Sequence, residues 1–119
     1  DLTPATLMRL WDDSDLPVHE LMINKVHEHG ALAGIQLVHN GQSVSNYLSR
    51  MPALAPSPCP TETANSTQAR GMDKEDIKVL RHWFREAAIR SQRAGYDIIY
   101  VYAAHGLSIF NHFLKVSKN

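Results

Sequence analysis

Tyr102 and His105 are three residues apart at the end of an apolar run, residues 96–104, and together they could do acid–base chemistry. A phenol and an imidazole at this spacing could pair with each other or both meet a substrate. The structural alternatives are a buried Tyr that hydrogen-bonds for stability and a loop His that caps a helix. Spacing alone favours the structural role for Tyr102.

Gln36 lies in a second apolar run, residues 31–38, that is otherwise built from Ala, Leu, Gly, Ile and Val. Burial of an amide in such a run costs free energy unless another group hydrogen-bonds it. The sequence leaves two partners open: a neighbouring backbone, which is the default, or the polar edge of a flat heterocycle. His39-Asn40-Gly41, which follows, is a turn signal.

The sequence predicts no metal site, no dinucleotide-binding site and no iron–sulfur site. His27 and His29 do not share a helix face, and His19 is two turns away from His27, so the histidines predict no metal site. The chain has no Gly-x-Gly-x-x-Gly, no phosphate loop and no paired Cys. It therefore encodes neither a dinucleotide fingerprint nor the ligands of an iron–sulfur cluster.

Two helices precede the two apolar runs. The first is predicted from an N-cap at Ser14 or Asp15, with Pro17 in its first turn, to a stop at Gly30. The second is predicted over residues 73–95. The apolar residues at helical spacing, predicted to be buried, are Val18, Leu21, Met22 and Val26 in the first helix and Ile77, Leu80, Phe84, Ala87 and Ala88 in the second.

Residues 42–72 are rich in Pro, Ser and Thr and predict a long loop without regular structure. A loop of this length suggests a lid, a partner-contacting excursion or a flexible insertion. Residues 107–114 predict a short helical turn at the end of the chain.

The two halves share the order helix, Gly, buried strand and His, which is typical of successive β/α units in a parallel sheet. We therefore expect an α/β fold in which Gln36, His39, Tyr102 and His105 converge at the carboxyl ends of the strands. Two units leave sheet edges without partners, and an eight-stranded barrel needs about 250 residues. The 119 residues therefore predict a fragment or a truncated product.

Composition excludes several partners. Twelve basic and twelve acidic residues give zero net charge, so we expect no nucleic-acid or anionic membrane surface. No apolar stretch reaches the roughly twenty residues of a membrane-spanning helix. Cys59 is the single Cys, and the opening Asp1-Leu2-Thr3-Pro4 carries no Met and no leader pattern. These features predict a cytoplasmic chain that does not begin at its natural start.

Several motifs resemble the old yellow enzyme superfamily of FMN-dependent barrels. AGIQLVHNG (residues 33–41) resembles its third-strand motif, and AGYD (94–97), AHG (104–106) and HFL (112–114) resemble its fourth-strand motif. YVYAAH (100–105) is closest to the trimethylamine, dimethylamine and histamine dehydrogenase branch, because the enone-reducing branch usually has His or Met at Tyr102. DSD (13–15) and VHELM (18–22) also resemble that amine dehydrogenase branch.

The resemblance implies that residues 1–119 are a fragment of an FMN-binding (β/α)8 TIM barrel, comprising two consecutive units at about strands 3 and 4. It implies that Gln36 hydrogen-bonds the pyrimidine side of the isoalloxazine. It also implies that Tyr102 and His105 belong to a substrate-side triad, whose third member, an Asp on a later strand, is absent from this chain. The family's flavin-linked Cys and the ligands of its iron–sulfur cluster are absent too.

The implied function is a part of an FMN-dependent oxidoreductase that oxidises a small amine and passes electrons to the flavin. Two alternatives stay open: an NAD(P)H-dependent ene-reductase of the old yellow enzyme type, and a truncated remnant without catalysis of its own. A homodimer is one assembly that the full-length protein could form.

Overall fold

The computed structural model describes residues 8–47, 49–63 and 66–119; the Asp1–Pro4 opening lies outside the described residues. Its regular elements in chain order are α1 (Leu16–Glu28), β1 (Gly34–Leu37), β2 (Leu54–Ala55), β3 (Cys59–Pro60), β4 (Gln68–Gly71), α2 (Lys74–Ala94), β5 (Ile98–Val101) and α3 (Ile109–Leu114). Short 3-10 turns at Asp13–Asp15 and Gly41–Ser43 precede α1 and follow β1.

These elements form two compact units. We call Arg9–Leu37 with Lys78–Val101 the helix–strand unit, and Val38–Ile77 with Tyr102–Asn119 the loop unit. No helix in the described part of the chain is long and apolar enough to cross a membrane.

The helix α1 begins and ends close to its predicted bounds, with Asp15 at the N-cap position and a Pro in the first turn. The face predicted to be buried is wrong, however. Leu16, His19 and Ile23 are the buried residues of this helix. Of the predicted set, Val26 is partly buried against the core, whereas Val18, Leu21 and Met22 are exposed. The buried face of α1 includes a polar residue, His19, so a pattern of apolar residues alone indicated the wrong face.

The helix α2 agrees better with the prediction. Leu80 is buried, Ile77 is half-buried, and Phe84, Ala87 and Ala88 pack partly buried against the core of the helix–strand unit. That core contains Leu10, Leu16, Ile23, Ala33, Leu37, Ala94 and Tyr96. Ala87 and Ala88 carry few atoms beyond the backbone, so this part of α2 can pack closely against that core.

Strands β1 and β5 pair in parallel, which confirms the predicted relationship between the two halves. Gly34 pairs with Ile98 and Gln36 with Tyr100, so these four residues lie on one face of the pair. The opposite face carries Ile35 and Leu37, which pack into the core. The prediction that both strands are buried is wrong, because all four residues of β5 are exposed and only the last residue of β1 is buried. Ile99 and Val101 share a face with Ile35 and Leu37 yet are exposed, so within the described residues neither face of β5 is covered.

The loop unit contains more regular structure than its composition predicts. Within residues 42–72, β4 pairs in parallel with β2 and antiparallel with β3 to give a small three-stranded sheet. Ala53, Ala55 and Ala69 form its buried core. The strands β2 and β3 have two residues each and β3 ends at Pro60, which is tolerated because β3 is an edge strand. The prediction of no regular structure in this segment is therefore wrong.

Candidate functional site

The candidate site is built on the carboxyl ends of β1 and β5. Leu37 and Val101, the last residues of the two strands, pair with each other in the parallel register. The chain therefore leaves both strands at the same edge of the sheet, toward His39 after β1 and toward Tyr102 after β5. In parallel α/β folds this edge is where ligands bind.

Tyr102 and His105 contact each other directly. The Tyr102 hydroxyl forms a hydrogen bond with His105 Nδ1, and the ring centroids are 5.8 Å apart. Tyr102 is half-buried and His105 is exposed. A neutral imidazole that carries its proton on Nε2 accepts the phenol proton at Nδ1 and leaves the Nε2–H free to act on another group. The pairing that the three-residue spacing left open is thus the arrangement in the structure.

The backbone at His105 is unusual. Its φ is +56°, in the left-handed region, and Gly106 follows with φ +69°. A non-glycine residue in this region costs about 1–2 kcal/mol, so surrounding contacts must hold it. One of them is a turn closed by the Leu107 N–H, which donates to the Ala104 carbonyl at 3.3 Å.

His39 adopts the predicted turn. Its Nδ1 accepts a hydrogen bond from the Gly41 N–H at 3.1 Å, and its carbonyl accepts one from the Ile109 N–H at 2.8 Å. Burial lowers the pKa of His39 from 6.5 to about 4, and the positive charge that His112 can carry acts in the same direction. His39 is therefore a neutral imidazole at pH 7. His39 therefore acts in the loop unit through its hydrogen bonds to Gly41 and Ile109 and not through a positive charge.

Gln36 lies on β1 in the helix–strand unit, whereas Tyr102 and His105 belong to the loop unit. The side chain of Gln36 is exposed, so its amide does not carry the desolvation cost that we expected from the sequence. The expectation that this amide needs a hydrogen-bonding partner, either a neighbouring backbone or a flat heterocycle, rested on burial that the structure does not show. Gln36 instead presents a solvated amide on the face of the sheet that also carries Gly34 and Tyr100.

His112 is a residue that the sequence did not single out. It is fully buried on α3, and its Nε2 lies 3.1 Å from the Gly106 carbonyl oxygen and 3.1 Å from Ser43 Oγ. Burial lowers its pKa below the ordinary value. The available signal was helical spacing, because His112 follows the apolar Ile109 by three residues and so shares its buried face.

Metal binding finds no support in the described ranges. No group of three or more His, Cys, Asp or Glu side chains there could hold a metal ion. Cys59 is a half-buried free thiol, and burial raises its pKa, which keeps it in the less reactive protonated form.

A Tyr–His pair follows β5, and enzymes built from parallel β/α units carry their catalytic residues at the carboxyl ends of the strands. The chain belongs to the NADH:flavin oxidoreductase / NADH oxidase family, whose sequence profile matches residues 4–119. This family is one of oxidoreductases, and membership confirms the flavin-enzyme resemblance found in the sequence.

The relatives of this chain include both enzymes named for amine substrates and enzymes named NADPH dehydrogenase. The chain is 48% identical to histamine dehydrogenase from Rhizobium sp. 4-9, with a TM-score of 0.86 over 92% of this chain and 17% of that one. It is 38% identical to 6-hydroxypseudooxynicotine amine oxidase from Pseudomonas geniculata N1, with a TM-score of 0.95 over 100% of this chain and 18% of that one. It is 39% identical over 113 residues to an NADPH dehydrogenase from Geobacillus thermodenitrificans, covering 92% of this chain and 31% of that protein. The chain thus spans about a third of the length of its curated relatives.

Proposed function

We propose that residues 1–119 are a fragment of an FMN-binding (β/α)8 barrel and supply two consecutive β/α units, about strands 3 and 4. The adjacent parallel pairing of β1 and β5 supports this assignment, because consecutive barrel strands are neighbours. The exposure of β5 also supports it, since a barrel would cover that strand with further strands and helices. Residues 42–72 are then the excursion between the two units.

The proposed activity of the protein that carries this chain is FMN-dependent oxidation of a small amine. The observation that carries the proposal is the hydrogen-bonded pair of Tyr102 and His105 at the end of β5. Identity of 48% to a histamine dehydrogenase and 38% to an amine oxidase supports an amine as the substrate.

The exposed face of β1 and β5 fits a flavin. Gly34 has no side chain, and a Cβ at that position would be in van der Waals contact with the Tyr100 ring at 3.6 Å, so the ring lies beside the Gly34 backbone. Ile98 adds apolar surface, and the exposed Gln36 amide offers both a donor and an acceptor. A heterocycle with an apolar plane and a polar edge needs this combination. Gln36 would hold the polar edge.

FMN, when bound, supplies the acceptor for the two electrons removed from the substrate. The residues of this chain would manage protons. An amine reacts in its neutral form, so a positioned base must take the proton of the alkylammonium ion. The Tyr102–His105 pair can do this, because a proton that reaches one ring is shared through the hydrogen bond with the other.

NAD(P)H-dependent reduction of an activated alkene is the second candidate. The 39% identity to an NADPH dehydrogenase favours it. In this reaction Tyr102 with His105 would polarise a carbonyl of the alkene substrate. While the Tyr102 hydroxyl donates to His105 Nδ1, the His105 Nε2–H is the donor left for the carbonyl oxygen.

Anaerobic flavin reduction distinguishes the two candidates. Dimethylamine, histamine and NADPH are each mixed with the oxidised protein that carries this chain, and the flavin absorbance is followed. Rapid bleaching by an amine and not by NADPH supports amine oxidation, and the reverse supports the ene-reductase.

Tyr102→Phe should slow flavin reduction, whereas Tyr47→Phe, which removes a hydroxyl from an exposed ring, serves as the control. Equal rates for the Tyr102 variant and the unsubstituted protein would return Tyr102 to a structural role.

A further inference from the structure

His105 has a left-handed backbone conformation, and the carbonyl of the next residue, Gly106, contacts the ring of His112. The left-handed conformations of His105 and Gly106 place the Gly106 carbonyl oxygen 3.1 Å from His112 Nε2. This carbonyl belongs to the residue directly after His105. Only the ψ torsion of His105 and the φ and ψ torsions of Gly106 separate this oxygen from the His105 Cα, so a contact that holds the oxygen restrains the turn that carries the His105 side chain.

The proton on His112 can be assigned from its neighbours. Gly106 O is only an acceptor, so Nε2 must carry the hydrogen if this contact is a hydrogen bond. Ser43 Oγ, also 3.1 Å from Nε2, donates its own hydrogen to Glu62 Oε2 at 3.1 Å. Its lone pairs are then free to accept from the same Nε2–H. The pattern is consistent with a single neutral tautomer of His112.

Packing leaves the ring of His112 little freedom. The side chain is fully buried, and a Cβ on Gly41 would lie 2.6 Å from its Nδ1. Within the described residues, Nδ1 has no hydrogen-bond partner. Nothing therefore favours the other tautomer or a ring flip, either of which would remove the donor from Gly106.

The helix α3 that carries His112 is itself held at its start. Ser108, fully buried, is the N-cap and accepts a hydrogen bond from the Asn111 N–H at 3.4 Å. The Ile109 N–H donates to the His39 carbonyl at 2.8 Å. His112 thus connects the Gly106 turn to a helix that is anchored on the segment after β1.

We infer that His112 is a positioning residue for His105: its Nε2–H holds the Gly106 carbonyl and keeps His105 in the conformation that pairs with Tyr102. This inference rests on the proposed role of His105 in substrate chemistry. His112 touches neither the reacting atoms nor the flavin in this scheme, and its contribution is geometric.

The variant test uses the flavin-loaded protein that carries this chain and whichever of dimethylamine, histamine or NADPH reduces it. His112→Leu removes the donor and should slow flavin reduction at saturating reductant by about tenfold, with KM and flavin content within about twofold of the unsubstituted protein. His112→Gln places an amide N–H near the position of Nε2 and should recover the rate to within about threefold. Ile109→Val removes one methylene from a fully buried neighbour, so it should lower the melting temperature and leave the rate within about twofold.

Two rate outcomes would overturn the inference. One is an unchanged rate in His112→Leu. The other is a slowing in Ile109→Val equal to that in His112→Leu, because loss of local packing would then explain both.

A second measurement needs no variant and no turnover. Long-range proton–nitrogen NMR spectra of the histidine-labelled protein report the tautomer of each ring, and His112 should carry its proton on Nε2. The Cα and Cβ chemical shifts of His105 should report a left-handed backbone. A proton on Nδ1 of His112 would overturn the inference even if no reductant is found. Failure of the proposed function appears separately, as the absence of flavin reduction by any amine in the unsubstituted protein.

Discussion

The Nδ1 atom of His19 lies 2.8 Å from the hydroxyl oxygen of Tyr96, across 77 residues of sequence. The other ring nitrogen, Nε2, lies 2.6 Å from the carbonyl oxygen of Arg9. Because a carbonyl only accepts, Nε2 carries the proton and Nδ1 accepts from the phenol. His19 is 1% exposed, so this buried ring joins α1, the segment before it and Tyr96, two residues before β5, inside the helix–strand unit.

Loss of the His19 ring should destabilise the protein. His19→Leu leaves the Tyr96 hydroxyl and the Arg9 carbonyl without their buried partner, so the free energy of unfolding should fall by about 1–3 kcal/mol. Urea unfolding followed by circular dichroism measures this change. His29→Leu, at an exposed position just after α1, is the matched control and should change stability by less than about 0.5 kcal/mol. Equal effects of the two variants would contradict the assigned role.

The observed buried face of α1 predicts a large difference between two aliphatic truncations. Ile23 is 1% exposed and Val18 is 61% exposed. Ile23→Ala should lower the free energy of unfolding by about 2–5 kcal/mol, because it leaves a cavity in the core. Val18→Ala should cost less than about 0.5 kcal/mol. Thermal unfolding of both variants would show the reverse order if the face predicted from the sequence were buried.

Gly41 should not tolerate a side chain. Its φ is +54°, and an added Cβ would lie 2.6 Å from His112 Nδ1. Gly41→Ala should therefore cost about 2–4 kcal/mol from the combined conformational strain and overpacking. Gly30 has φ +71° but nothing within 4 Å of an added Cβ, so Gly30→Ala should cost only about 1 kcal/mol. Denaturant titration of the two variants separates steric contact from backbone strain.

Gln36→Leu tests the proposed flavin contact. The substitution removes the amide that would hydrogen-bond the polar edge of the flavin and keeps a side chain of similar volume. The dissociation constant of FMN should therefore rise by about tenfold, or the reduction potential of FMN should shift. Fluorescence titration of the flavin and a redox titration of the protein that carries this chain measure the two quantities. Gln92→Leu, at an exposed position on α2, is the control. An unchanged affinity and an unchanged potential would remove Gln36 from the site.

The depressed pKa of His39 predicts a loss of stability in mild acid. Above its ordinary pKa of 6.5, His39 is neutral in both the folded and the unfolded chain and contributes no pH dependence. Between pH 6.5 and about 4, the unfolded chain binds a proton that the folded chain does not, so the free energy of unfolding falls as the pH falls. Below about pH 4 both states are protonated and this contribution becomes constant.

Urea unfolding at several pH values across this window measures the effect of His39. His39→Asn should show a shallower fall in the free energy of unfolding than the unsubstituted protein. His29→Asn should leave the fall unchanged, because His29 is exposed. The same slope in all three proteins would show that His39 is not protected from protonation in the folded state.

Local patterns in the sequence determined the helices, the strands between them and their order. Helix ends depend on caps, Pro and Gly within a few residues, which explains why α1 and α2 lie close to their predicted bounds. The parallel pairing of β1 and β5 followed from the repeated helix–strand order, whereas the Tyr102–His105 contact was one of several arrangements that the spacing of three residues left open.

Only the tertiary structure decided which side chains are buried. Val18 and Ile23 are both aliphatic and lie on the same helix, yet what packs against each position differs, and no local pattern contains that information. His19 and His112 are buried because distant partners satisfy their ring nitrogens, His19 through Tyr96 and His112 through Ser43 and Gly106. Burial of a polar ring depends on partners that folding brings together, so the sequence analysis predicted neither histidine as a core residue.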